Sequence, residues 1–254
     1  MFNHHGGVPS LFMQKRPNSA SNAPSTSSGV NKSAQRSQAL VTTSSSIIAL
    51  QYSTGVIIAG DMLGYYGTLA RYTHCPRVLK VNDNIILGAS GDYADFQYVW
   101  DLMKQKVSAE EDRMEEGTYL KPHSLHCWLT RLMYRRKCMF DPLWNNFLIG
   151  GNENGVPFLG TVDKLGTSYT DKIICTGFGA QMAAPLIRNA LEKNPHPTQK
   201  EAVELVEKCM NVLFYRDAEG FCKYQIAICD MNSGTTVEGP IALKHDKSFT
   251  HAEI

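Results

Sequence analysis

The sequence predicts an α+β fold in which antiparallel sheets carry helices on their outer faces. Three observations lead there. Short runs rich in Ile and Val are joined by Gly-containing turns, first Ser45–Tyr52 and Val56–Gly60 around Ser53-Thr54-Gly55, which reads as a hairpin. Four other stretches carry apolar residues at helical spacing. The two kinds alternate in blocks: strands, two helices, strands, two helices, strands.

A chain of 254 residues with 43% hydrophobic content can bury one sizeable core. Its formal net charge of +1 gives no electrostatic reason to expect a nucleic acid or other polyanion. No apolar run approaches the roughly 18 residues of a membrane helix. The seven cysteines are odd in number and form no CxxC pair, and several lie inside apolar runs, as Cys175 and Cys229 do. Free thiols in a reducing compartment fit this better than a disulfide framework.

Residues 1–36 are rich in Ser, Asn, Pro and Gly and hold no Asp or Glu. Such a segment cannot offset the entropy of ordering and reads as a disordered tail. A basic, Ser-rich, acid-free leader also has the composition of a mitochondrial transit peptide, although Pro9, Pro17 and Pro24 interrupt any long amphipathic helix. After the first hairpin, Gly64 and Gly67 mark a loop. Val78–Val81 and Ile85–Ala89 follow as strands around Asn82-Asp83-Asn84.

Tyr93, Phe96, Val99, Met103 and Val107 recur at helical spacing, and the charged run 110–116 after them reads as a solvated face or loop. Pro122 suits the first turn of a second helix, with Leu125, Trp128, Leu129, Leu132 and Met133 inward and Arg135, Arg136 and Lys137 at its negative end. His123 and His126 lie three apart there, but no further ligand pattern completes a zinc set. Strands Asn146–Ile149 and Phe158–Val162 flank a glycine-rich turn over 150–155, and 167–176 continues as strand.

Gly177-Phe178-Gly179 opens a helix over 180–191. A dinucleotide fingerprint would need a third small residue where Met182 stands. Thr198 and Glu201 form a capping box for a helix to about Phe214. Strands Lys223–Cys229 and Thr235–Glu238 surround Asn232-Ser233-Gly234, and Ile241–Ile254 reads as a polar tail.

Asp61, the first acidic residue of the chain, closes an apolar strand. A carboxylate there is costly unless it meets water or a partner, and Arg71 and Arg77 are the basic candidates. The stretch 44–77, together with GASGDYADFQY at 88–98, WLTRLMY at 128–134, DPLWN at 141–145, YRD at 215–217 and EGP at 238–240, resembles the proteasome beta subunits over about 37–240.

The resemblance implies the four-layer alpha-beta-beta-alpha sandwich of N-terminal-nucleophile hydrolases. It divides the chain into a propeptide (1–36), a beta-type domain (37–240) and a C-terminal tail (241–254) that reaches toward the opposite ring. It implies a hetero-oligomer with other alpha and beta subunits in stacked seven-membered rings, served by regulatory caps. Ubiquitin-dependent protein degradation in cytoplasm and nucleus follows from the same likeness. No cofactor, metal, nucleic acid or membrane is implied.

In that family an N-terminal Thr supplies both the attacking hydroxyl and the amine that takes its proton. An Asp and a Lys tune the transfer, and two Ser and a second Asp support the amine. Aligned on Gly55 and Asp61, the nucleophile falls on Ser45, the preceding Gly on Ser44 and the Lys on Arg77. Phe178 and Gly220 replace the two Ser, while Asp61 and Asp217 keep both carboxylates. The resemblance therefore implies a noncatalytic subunit in which Asp61 and Arg77 remain as a charge pair. The other reading is a peptidase that uses Ser45 after being freed there.

Overall fold

The structure, a computed structural model, describes residues 42–44, 46–113 and 120–244. It is an α+β fold with two antiparallel sheets. In the first, β2 (Ile47–Tyr52) and β3 (Gly55–Asp61) form the expected hairpin, with Ile47 opposite Gly60. β12 (Lys223–Asp230) pairs with β3, β13 (Gly234–Ala242) with β12, and β11 (Ile173–Cys175) with β2.

The second sheet runs through β10 (Ser168–Thr170), β9 (Val156–Val162), β8 (Asn145–Glu153), β7 (Ile85–Asp92), β1 (Thr42–Ser44), β4 (Gly64–Tyr66) and β5 (Leu69–Tyr72). β6 (Val78–Asn82) also pairs with β7.

Side chains alternate across each strand, and both faces of the central strands are covered. Ile47, Ala49, Val56 and Ile58 meet Ile86, Leu148 and Leu159 in one fully buried cluster between the sheets. Ile48, Leu50, Ile57 and Ala59 pack with residues of α3 (Gly179–Lys193) and α4 (Gln199–Arg216). Ile85, Leu87, Phe147 and Ile149 pack with α1 (Tyr93–Glu111) and α2 (Pro122–Cys138). Double coverage is why these strands read as continuous apolar runs, and each large aliphatic side chain so buried contributes about 1.5–3 kcal/mol.

The helix ends follow the sequence. Asp92 caps α1 by accepting N–H bonds from Ala94 and Asp95 at 2.8 and 3.1 Å. Thr198 and Glu201 form the reciprocal capping box of α4. Phe140 is the exception. It follows the C-cap of α2 with φ 54°, where Gly or Asn is usual. Left-handed backbone at an ordinary L-residue costs about 1–2 kcal/mol.

Four expectations are corrected. The glycine-rich run 150–155 is mostly strand: β8 continues to Glu153, and the turn is Asn154-Gly155 with φ 53° and 79°. Gly150 is needed inside the strand because a Cβ there would lie 2.8 Å from Val56 Cγ1 and 3.0 Å from Ile86 Cγ1. Residues 64–72 form the β4–β5 hairpin rather than a loop; every residue of β5 is exposed, so no apolar alternation announced it.

The single strand expected over 167–176 divides between the two sheets, with a break at Asp171, whose carboxylate accepts the N–H of Lys172. The domain also runs past Pro240. Ile241 and Ala242 complete β13, and Leu243 is buried against the α3–α4 side, its N–H donating to the Cys222 carbonyl at 2.8 Å. The leader 1–36 and tail residues 245–254 lie outside the described residues.

Candidate functional site

β3 delivers Asp61 to the end of the first sheet, and the segment before β6 brings Arg77 beside it. Both are almost wholly buried, 4% and 1% exposed. The guanidinium forms an ion pair with the Asp61 carboxylate. It also donates to the Asp61 backbone carbonyl through Nε and Nη2 at 3.3 and 3.1 Å, and through Nη1 to the Ala89 carbonyl at 3.5 Å. Burial lowers its pKa, while Tyr93 and Glu219 act the other way. A guanidinium stays protonated and has five donors and no lone pair, so Arg77 supplies charge but accepts no proton.

Ser45 lies outside the described residues, but both sides of it are placed. Ser44 ends β1 opposite Gly91, and β1 is paired on its other edge with β4 through Thr42–Tyr66 and Thr43–Tyr65. On the far side, Ser46 is buried and its Oγ accepts the N–H of Gly179 at 2.9 Å. Ile47 N–H donates to Thr176 Oγ1 at 3.0 Å, and Thr176 N–H donates back to the Ile47 carbonyl at 2.9 Å. The start of β2 is thus pinned to the loop before α3. That bond also occupies the Gly179 N–H that a phosphate on Gly177-Phe178-Gly179 would need.

Asp217 caps the C-terminus of α4 and is 7% exposed. Its Oδ1 accepts the N–H of Glu219 at 3.0 Å, while Oδ2 is buried with no hydrogen-bond partner among the described residues. Gly220 donates its N–H to the Asp217 carbonyl at 2.9 Å. A Cβ on Gly220 would lie 2.8 Å from Leu213 O and Phe214 Cα and 2.9 Å from Phe214 O. These are backbone atoms of a helix and cannot swing aside.

Ser46, Asp61, Asp217 and Gly220 enclose a void of about 10 Å³, room for about one water. Of the family's catalytic positions all but Ser45 are described, and four converge: Asp61, Arg77, Asp217 and Gly220. Phe178 does not. Its side chain is half exposed ahead of α3, so its bulk meets solvent instead of filling the site.

The sequence reading missed Ser46, Thr176 and Glu219. Burial and the neighbouring Asp217 push the Glu219 carboxyl up, and Arg77 pulls it down. No local pattern marks these three, because each matters only through a contact made across the fold.

His126 is buried, with its Nε2 3.0 Å from the Thr161 carbonyl, so Nε2 carries the donated proton. Burial lowers its pKa; the Thr161 bond opposes this and His123 reinforces it. His123 sits edge-on to Phe158. Among the described residues, no three His, Cys, Asp or Glu side chains cluster as a metal site, and no helix is long and apolar enough to cross a membrane.

Comparison with known proteins fits this arrangement. The Proteasome subunit family matches residues 41–229. Proteasome subunit beta type-4 of Xenopus laevis is 46% identical over 82% of this chain and 86% of its own length. The beta type-4 subunit of Drosophila melanogaster is 40% identical over 85% and 80%. Proteasome subunit beta type-7 of Saccharomyces cerevisiae is 36% identical over 82% and 80%. A match spanning both sheets and all four helices at these identities places the chain in the proteasome subunit family, as a beta-type subunit of the 20S core.

Proposed function

We propose that this chain is a noncatalytic structural and assembly subunit of the beta ring, in a particle that degrades proteins through the ubiquitin pathway. The observation that carries this is Arg77: where the family's mechanism needs a lysine able to share a proton, a buried guanidinium is committed to Asp61 and two carbonyls. The α4 backbone leaves no room for a hydroxyl at Gly220, which supports the same reading. So does β1, whose pairing on both edges gives the residues ahead of Ser45 a structural use.

On this reading the three buried clusters correspond to a four-layer alpha-beta-beta-alpha sandwich, and the degenerate family positions are Ser45, Asp61, Arg77, Phe178, Asp217 and Gly220. The partners are the other alpha and beta subunits of stacked seven-membered rings, with regulatory caps acting through the particle in cytoplasm and nucleus. The competing reading, a serine-using peptidase freed at Ser45, draws on the two retained carboxylates.

The mature N-terminus separates them. Lacking Gly at position 44, the chain should not cut itself. A neighbouring active subunit should trim it in the basic stretch near Arg36-Ser37, leaving β1 in place. Intact-mass analysis of the subunit from native particles should give a start close to Ser37. A start at Ser45 would remove β1 and favour the peptidase, and a start at Met1 would rule out trimming.

A further inference from the structure

Two buried side chains near the Asp61–Arg77 pair have hydrogen-bonding capacity left over. Asp217 is 7% exposed, and its Oδ2 meets no donor among the described residues. A carboxylate oxygen shut away from water without a donor is costly, which is why buried polar atoms are nearly always satisfied. Ser46 is 2% exposed. Its Oγ accepts the Gly179 N–H, so the hydroxyl still has its own hydrogen to give, and none of the described residues takes it.

Both side chains line the same void, together with Asp61 and Gly220. At about 10 Å³ the void is too small for a metabolite. One water needs roughly that much space and about two to four polar partners. The chain's own groups do not meet the need. Gly220 brings no side chain to the void, and its N–H is committed to the Asp217 carbonyl. Met210 and Leu213 wall the void on the α4 side with side chains that carry no donor.

We propose that this void is a binding site for one ordered water. The water accepts the Ser46 O–H and donates one hydrogen to Asp217 Oδ2. Its other hydrogen goes to the Asp61 carboxylate, whose ion pair with Arg77 leaves it able to accept a further bond. One molecule thereby ties the start of β2 to the end of α4 and to the buried ion pair, segments that lie far apart in the chain. It also gives Asp217 a use that requires no proton transfer: its carboxylate holds a water where Gly220 supplies no hydroxyl. A metal ion suits the void less well. Arg77 already offsets the Asp61 charge, and the side chains of Ser46, Asp61 and Asp217 offer fewer oxygens than the about six that Mg²⁺ or Ca²⁺ takes.

Cryo-electron microscopy of native particles, at a resolution that shows other buried waters, tests this. A peak should stand about 2.5–3.0 Å from both Ser46 Oγ and Asp217 Oδ2. Particles carrying Asp217→Leu should lose the peak, because the donor-seeking oxygen is gone and an apolar side chain takes its place. Particles carrying Ser46→Ala should show its occupancy reduced to about half or less, since one of few partners is removed. Where a variant does not assemble, the wild-type map decides alone.

A wild-type map without the peak would overturn the proposal. A peak that touches only one of the two side chains would overturn the bridge. A peak with about five or more oxygens within about 2.5 Å would be a cation and would overturn the water. A peak of undiminished strength in Asp217→Leu particles would show that Asp217 does not hold it.

Discussion

Asp61→Ala should destabilise the folded chain by about 3–5 kcal/mol, the usual cost of leaving a buried charge without its counter-ion. Arg77 is 1% exposed, so water cannot replace the lost carboxylate. Its bonds to the Asp61 and Ala89 carbonyls survive the substitution, but carbonyls offer dipoles in place of a full charge. Glu219, which also interacts with Arg77, is half-buried, and burial with the neighbouring Asp217 disfavours its charged form, so it is not an equal substitute.

Removing both charges should be far milder. Asp61→Leu with Arg77→Met should recover most of the loss, because apolar groups of similar volume often replace a buried pair at little cost. Urea unfolding of the single and double variants measures this. Equal losses in the two would mean that shape, not charge, holds the site together.

Gly220→Ser should destabilise by about 1–3 kcal/mol, the typical cost of overpacking, and should not restore a catalytic hydroxyl. By sequence the change looks like a repair, since a serine is what the family's active pattern places there. The structure opposes it: the new Cβ would stand 2.8 Å from Leu213 O and Phe214 Cα. The end of α4 must shift to admit it, and that shift moves Asp217, the helix cap. Thermal unfolding reads the loss. A variant as stable as wild type, with a serine hydroxyl free to act, would show that the α4 backbone is more compliant than its packing implies.

Legibility in the sequence followed the range of the interaction. The β2–β3 hairpin, the α4 capping box and the start of α1 at Tyr93 rest on contacts within a few residues, and all were readable. The β4–β5 hairpin was not, because its edge strand has no buried face to impose a period. Gly150 and Gly151 look like turn residues in one dimension; only the opposed Val56 and Ile86 side chains show that Gly150 is a close approach between sheets.

The site divides the same way. Asp61 and Arg77 were singled out, and their pairing could be posed as a question because a lone buried carboxylate needs an answer. That Phe178 faces solvent, and that Gly220 is walled in by a helix terminus, depends on how α3 and α4 dock. Sequence spacing carries no such information. β1 is the clearest case: three small polar residues with no apolar signal bridge β4 and β7 in the middle of a sheet.

The most direct measurement of the noncatalytic reading is the peptidase activity of purified particles assembled with Ser45→Ala. The substitution removes the one hydroxyl in the nucleophile's place. With Arg77 fixed to Asp61 and no hydroxyl at 178 or 220, the account predicts that every class of peptide substrate is cleaved at the wild-type rate. Loss of one class of cleavage in fully assembled Ser45→Ala particles would contradict it.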